Sequence, residues 1–362
     1  MPTLRIILIC LPIAISVGIN VPAGSQTGAG PDAILATMNR LSIELPMGVA
    51  RVESVRKPLE ELGREPCDQD AIANLGRALE KAGYRREAAT AQVRYSETCG
   101  GHAPSLRSAV NVLLTLSDYE GAAKVASDLI KLEPFNDNGY YLRALAYDRG
   151  GLPKKAIDDY VTAIELFGDK GKISSVGYLA MARNYERLNQ FCDAILPIEA
   201  WVSLNPARND TTQTRTIVAD YTAKGGCAAA VGKEEVFKIP PPHGTVKVPV
   251  AINGVRGNLI LDTGATFVTL TAMFAQKAKV QVDQDSRVRL HTANGTTEGK
   301  RGRAATIQLR SLQAKDVPIV VQTDVKQAPG DGSDGLLGMS FLSRFRVSID
   351  AQAVTVSNRK SK

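Results

Sequence analysis

The apolar residues of this 362-residue chain follow two different periods, and the change between them lies at a run of three prolines, residues 240–242. Over residues 32–235 the apolar residues recur at the three-to-four spacing of α-helices. From Val246 to Ile252 they alternate with polar residues, as in a β-strand. Consecutive prolines favour a stiff, extended segment. The sequence therefore predicts a multidomain α + β chain in which a helical part is followed, after a Pro-rich linker over residues 229–244, by an all-β domain over residues 245–362.

The helical part contains a repeated pattern built around alanines. Four alanines follow turn-type segments at intervals of 34, 34 and 38 residues: Ala88, Ala122, Ala156 and Ala194. This pattern resembles the tetratricopeptide repeat, a pair of antiparallel helices, and it predicts a helical solenoid over residues 67–228 with leading helices in residues 24–66. Thr211 to Lys224 is expected to form the helix that caps the last apolar face. Such an array either binds a protein partner or acts as a structural spacer, and both alternatives stay open.

Two motifs of the β-domain carry its chemistry. Asn253-Gly254 predicts a tight hairpin whose second strand ends in Leu259-Ile260-Leu261 and delivers Asp262-Thr263-Gly264-Ala265. Further along the chain, Gly335-Leu336-Leu337-Gly338 is followed by Met339-Ser340-Phe341-Leu342. Together these motifs resemble the retropepsin family, the retroviral-type aspartic proteases, and in particular its bacterial members. The resemblance covers about the last third of the chain.

The resemblance implies a role for each matching residue. Asp262 would be the catalytic carboxylate, Thr263 would hold the partner's catalytic loop, and Gly264 and Ala265 would line the substrate backbone. The core segment beneath the site would be Leu336, Leu337 and Gly338. A second Asn-Gly turn, at Ala293, Asn294 and Gly295, is placed like the flap hairpin that covers substrate in this family, although an ordinary surface hairpin is the equal alternative.

A single Asp-Thr-Gly motif implies that two chains form the site. Peptide hydrolysis by carboxylates needs one group to accept a proton from water and another to supply one to the carbonyl oxygen. Two adjacent carboxyl groups that share a proton satisfy both needs. We therefore expect a homodimer with Asp262 contributed twice, an aspartic-type endopeptidase acting on peptide or protein substrates. No cofactor or metal is expected, because the chain lacks a Cys-x-x-Cys pair and its three histidines are scattered.

The N-terminus and the cysteines indicate export. Residues 1–23 combine Arg5 with a nearly unbroken apolar run, which is typical of a signal peptide, with an uncleaved membrane anchor as the alternative. The expected location is the periplasm or cell envelope. Removal of this segment leaves an even number of cysteines, which favours disulfides. Helix topology favours the pairs Cys67–Cys99 and Cys192–Cys227, whereas inert buried thiols remain the other possibility.

Charge is divided unevenly between the two parts. From residue 236 onward there are 18 Lys and Arg against 9 Asp and Glu, whereas the rest of the chain is slightly acidic. We interpret this excess as a solvated charged face and expect no nucleic-acid partner, because no basic run is interleaved with aromatics. A second functional hypothesis is therefore a non-catalytic envelope adaptor, whose protease-like domain only dimerises or binds peptide.

Overall fold

The structure is a computed structural model that describes residues 31–169, 172–227, 229–240, 245–292, 295–323 and 332–358. The expected signal segment, residues 1–23, lies outside these ranges. Among the described residues, no helix is both long and apolar enough to cross a bilayer. The described chain consists of a helical array followed by a β-rich domain, which confirms the predicted fold class.

The array is built from antiparallel helix pairs. Three leading helices precede the pairs: α1 (Pro31–Arg40), α2 (Met47–Ala50) and α3 (Glu53–Arg64). The four pairs are α4 (Gln69–Lys81) with α5 (Arg85–Thr98), α6 (Ala103–Thr115) with α7 (Tyr119–Leu132), α8 (Asp137–Arg149) with α9 (Pro153–Leu166), and α10 (Ser175–Arg187) with α11 (Phe191–Leu204). A short helix, α12 (Pro206–Asn209), leads to the terminal helix α13 (Thr212–Gly225).

The repeated sequence pattern has a direct structural cause. The turn inside each pair contains one residue with a left-handed backbone, with φ between 57° and 88°: Gly83, Ser117, Gly151 and Asn189. A left-handed residue ends the first helix and lets the chain reverse. The repeated alanine then lies in the first turn of the second helix, where each is at most 1% exposed, so that only a small side chain permits the close approach of the two helices.

Two disulfides join the ends of helix pairs. Cys67, just before α4, bonds to Cys99, which ends α5, and Cys192 in α11 bonds to Cys227 after α13; the Cα atoms are 5.6 and 5.5 Å apart. These are the pairs that the helix topology favours. They indicate an oxidising, extracellular-type environment.

The β-domain contains two sheets and two short helices. Its strands are β1 (Glu235–Lys238), β2 (Lys247–Ile252), β3 (Val255–Leu261), β4 (Val268–Leu270), β5 (Gln281–Val282), β6 (Val288–Thr292), β7 (Gly295–Leu309), β8 (Leu312–Gln322), β9 (Gly335–Leu337), β10 (Phe345–Ile349) and β11 (Ala353–Asn358). Its helices are α14 (Ala272–Lys277) and α15 (Met339–Leu342). The larger sheet has the order β2-β3-β9-β4-β8-β7-β5, with β6 also paired to β7 and β2 to β7. The smaller sheet has the order β1-β11-β10.

Part of the expected linker belongs to the β-domain. Val231 forms a bridge with Gln313, and β1 pairs with β11. The physical reason is Phe237, which is 4% exposed and lies beneath the Arg310 guanidinium, 4.4 Å from the ring centroid. Val236 and Phe237 are adjacent and only Phe237 is buried, so this four-residue strand shows no alternation of apolar and polar residues, and the sequence does not reveal it.

Residues 345–358 form a hairpin of two strands, β10 and β11. The chain reverses after β10 because the Asp350 carboxylate accepts hydrogen bonds from the amides of Gln352 and Ala353, both at 2.8 Å. This is the local turn that aspartate favours. The hairpin places β11 between β1 and β10 and leaves those two strands at the edges of the smaller sheet.

Candidate active site

The β2–β3 hairpin places Asp262 at the end of a strand in the interior of the sheet. Asn253 and Gly254 both have left-handed backbones, with φ of 50° and 82°, as the tight hairpin requires. The Asn253 side chain holds the turn by donating to Ala278 O at 2.9 Å and accepting from the Thr306 amide at 3.0 Å. Because β3 is paired with β2 on one side and β9 on the other, its end is rigidly positioned.

Residues 262–266, which we call the carboxylate loop, lie directly on the Gly-Leu-Leu-Gly segment. The Asp262 amide donates to Leu337 O at 3.1 Å, and the Met339 amide donates to Ala265 O at 2.8 Å. The Ser340 amide donates to Thr266 O at 3.0 Å. Thus the two sequence motifs, about 70 residues apart, form one hydrogen-bonded unit.

Gly338 is required by this close approach. A Cβ atom there would lie 2.2 Å from Phe267 O and 2.7 Å from Ala265 O, both backbone atoms. The φ of Gly338 is −94°, which other residues adopt, so the constraint is steric and not conformational. Leu337 is buried in the core, and Leu336 is half-buried beside it.

The Asp262 carboxylate is half-buried and open to a reactant. Its Oδ1 accepts a hydrogen bond from the Gly264 amide at 2.8 Å. Within the described ranges, it forms no ion pair. Thr263 and Ala265 are half-buried and Gly264 is exposed. One such carboxylate is able to accept or to donate a proton, but general acid-base hydrolysis needs both functions at once.

Two polar residues near the site have structural roles that the sequence does not reveal. The Ser340 hydroxyl, in a side chain only 1% exposed, accepts from the Val268 amide at 2.8 Å and so anchors the strand after the carboxylate loop. Asp334, just before β9, accepts a hydrogen bond at its Oδ2 from the Asn258 amide of β3, at 2.8 Å. A lone polar residue in the apolar Met-Ser-Phe-Leu segment is the signal that points to Ser340. Asp331 lies outside the described residues.

The second expected hairpin is formed by β6 and β7, with Thr292 opposite Gly295. Gly295 has a φ of 109°, which favours glycine. Ala293 and Asn294, the other residues assigned to a flap, lie outside the described residues. The described strands of this hairpin contact the helical array: β6 packs against α9.

In the part of the chain that the structure describes, no group of three or more His, Cys, Asp or Glu side chains is arranged to hold a metal ion.

Residues 248–341 match the family model described as aspartyl protease. The resemblance to the retropepsin family that was stated from the Asp-Thr-Gly-Ala and Gly-Leu-Leu-Gly motifs is confirmed for this domain. No protein of curated function matches the chain significantly.

Solved structures resemble each part of the chain separately. A retropepsin-like aspartic protease from Rickettsia conorii is 22% identical, with a TM-score of 0.28, and the match covers 36% of this chain and 95% of that one. MamA from Desulfovibrio magneticus is 20% identical, with a TM-score of 0.37, and the match covers 50% and 99% of the two chains. PilF from Pseudomonas aeruginosa is 15% identical, with a TM-score of 0.34, and the match covers 53% and 88%.

Proposed function

We propose that this protein is an exported aspartic endopeptidase that hydrolyses peptide bonds through a dyad of two Asp262 carboxylates, one from each chain of a homodimer. The observation that carries the proposal is the placement of Asp262 at the end of an interior strand, in a loop fixed by hydrogen bonds to residues 337–340. A carboxylate in a rigidly held loop that is only half-buried is suited to act on a bound reactant.

The dyad would work by sharing one proton. Two like charges in contact do not both ionise, so one carboxyl stays protonated while the other is charged. The charged group accepts a proton from the attacking water, and the protonated group donates to the carbonyl oxygen of the peptide bond. Collapse of the tetrahedral intermediate breaks the C–N bond, and a proton passes to the leaving amine. The pair is active only in its singly protonated form, so activity should fall above mildly acidic pH.

The smaller sheet supports dimerisation. Among the described residues its two outer strands are β1 and β10, and each exposes an apolar side chain: Val236 is 49% and Ile349 is 55% exposed. Edge strands with exposed apolar residues are suited to pairing with another chain. In the family that this domain resembles, the terminal strands build the interface between the two copies.

The array would recruit a substrate or partner protein. A cleft of about 670 Å³ lies between α7, α8 and α9 and is lined by Tyr119, Tyr147, Lys124 and Lys155 among others. Aromatic rings with adjacent ammonium groups are suited to binding an extended acidic peptide.

The test is a peptide-library digest at several pH values with the wild type, Asp262→Asn and Asp70→Asn. Asp70 is exposed on α4, so its variant controls for the loss of one negative charge. We expect cleavage by the wild type and by Asp70→Asn, a loss of at least about 10³-fold in Asp262→Asn, and a dimer by sedimentation. Equal cleavage by all three, or none by a wild type confirmed as a dimer, would refute the proposal and favour the adaptor hypothesis.

A further inference from the structure

The array and the β6–β7 hairpin are joined along a polar stripe of α9. Asp158 and Thr162 lie one helical turn apart on this stripe, where a solenoid helix would normally face water. Instead they are 8% and 1% exposed, because β6 covers them. Polar side chains are buried only where they are hydrogen-bonded, so the covering strand must supply partners.

The partners are groups on the free edge of β6. The Arg287 amide donates to Asp158 Oδ2 at 3.3 Å, and the Arg289 amide donates to Thr162 Oγ1 at 3.0 Å. Arg289 lies in β6 and Arg287 just before it, and within the described residues β6 is paired only with β7, on the side away from α9. The Ser286 hydroxyl, just before β6, adds a bond to Asp158 Oδ1 at 3.0 Å. The side chains of α9 thus accept hydrogen bonds from these backbone amides, as the carbonyl groups of a neighbouring strand would.

Ion pairs reinforce the contact on the β7 side of the hairpin. Arg301 on β7 pairs with Asp158, and both side chains are at most 13% exposed. Next to it on the same strand, Arg303 pairs with Asp193 of α11 through both guanidinium NH groups. Removing one member of such a buried pair leaves a buried charge without a partner, which is costly in free energy. The pairs therefore fix the position of β7 relative to the array.

A separate contact reaches an earlier repeat. Arg289 donates from its guanidinium to Pro134 O at 2.9 Å, in the connection between α7 and α8. The same group lies 6.0 Å from the ring centroids of Phe135 and Tyr140. The hairpin is therefore held at both strands, by the third and fourth helix pairs and by the connection that precedes the third pair.

From these contacts we infer that Asp158 and Thr162 are positioning residues: they fix the β6–β7 hairpin against the array, and the proposal assigns to this hairpin the flap role that its Asn-Gly turn predicts, over the substrate that Asp262 would cleave. This inference rests on the proposed protease function, but the anchoring itself does not. Loosening the anchor would let the hairpin depart from its substrate contacts, which would weaken binding in the ground state and the transition state alike. The effect should therefore appear in KM, with kcat nearly unchanged.

The test uses the full chain with Thr162→Val, which removes the hydroxyl that accepts from the Arg289 amide and keeps the side-chain shape. Thr216→Val is the matched control, because Thr216 forms the same bond to the carbonyl four residues earlier, at 2.9 Å, as Thr162 does at 3.0 Å, and it is exposed on α13. Asp158→Asn is the second variant. Hydrogen exchange of residues 286–301 and peptide cleavage are measured for each protein.

We expect hydrogen exchange in residues 286–301 to rise about tenfold in Thr162→Val, because the Arg289 amide loses its acceptor. KM should rise about fivefold at nearly constant kcat, with Thr216→Val unchanged in both measurements. Exchange that stays at the wild-type rate in both Thr162→Val and Asp158→Asn would overturn the anchoring. Faster exchange with an unchanged KM, or with kcat reduced in place of KM, would overturn the positioning role. Absence of cleavage in the wild type would overturn the protease function and the positioning role with it, whereas the exchange rates would still decide the anchoring.

Discussion

Replacement of Gly338 by alanine tests the central argument about the site, that the carboxylate loop is seated on the Gly-Leu-Leu-Gly segment. The added Cβ would lie 2.2 Å from Phe267 O and 2.7 Å from Ala265 O, whereas such contacts are essentially never closer than 3.0 Å. Both obstacles are backbone carbonyls, so no side-chain rotation relieves them, and the loop must move by roughly 1 Å.

The cost follows from that displacement. Overpacking of this kind destabilises by about 1–3 kcal/mol, and we expect the upper part of that range because the backbone itself must shift. At about 4 °C per kcal/mol, the transition of the β-domain should fall by roughly 8–12 °C. A misplacement of about 1 Å also costs on the order of 10²-fold in rate, so catalysis should fall even where the domain remains folded.

The assay combines thermal unfolding with peptide-resolved hydrogen exchange on the full chain. Trp201, the single tryptophan, lies in α11 and reports unfolding of the array, whereas exchange in residues 261–270 and 335–342 reports the site. Gly177→Ala is the control, because a Cβ at this position in α10 meets nothing within 4 Å. If Gly338→Ala proved as stable as Gly177→Ala, with equal exchange at the site, the close approach would be wrong.

Three further predictions concern the array. The Gly121 amide and a neighbouring arginine lower the pKa of Asp118, the residue that caps α7. Asp118→Ala should therefore lower the free energy of unfolding by about 1 kcal/mol at neutral pH. In denaturant titrations, this difference between the variant and the wild type should vanish as pH falls below the unfolded pKa of about 3.9. Burial lowers the pKa of His102, so its NMR titration midpoint should lie below 6.5. The wild type should lose stability on acidification through that range, and His102→Gln should not. A midpoint at or above 6.5 would contradict the burial argument. Replacing Cys192 and Cys227 together by serine should cost about 2–4 kcal/mol and speed proteolysis of α13, and unchanged proteolysis would show that packing alone holds that helix.

The sequence was sufficient for features that depend on local pattern. The alanine spacing predicted the helix pairs because each small residue and each left-handed turn lies within one repeat. The site motifs were recognisable for a similar reason, since Asp262 and Gly338 each belong to a short segment of distinctive composition. The roles of Thr263, Gly264 and Ala265 stay predictions, as does the flap assignment of residues 293–295.

Contacts between distant segments were not predictable from the sequence. Asp158 and Arg301 are 143 residues apart, and nothing in either local pattern indicates the other. The uneven charge was a usable signal that we interpreted differently: three basic residues of the β-domain, Arg289, Arg301 and Arg303, are directed at the array and not at solvent alone. Strand β1 was missed because Phe237 is its only buried side chain.

The insertion of β9 between β3 and β4 has a consequence for the order of folding. Asp262 precedes Gly335 by 73 residues, yet β3 and β4 are both bonded to β9 and only indirectly to each other. A nascent or truncated chain that ends before β9 therefore contains the acidic residue without the scaffold that shapes its loop, and closing so long a connection is slow. The carboxylate loop therefore reaches its final shape only after residues 335–340 have been synthesised and have joined the sheet.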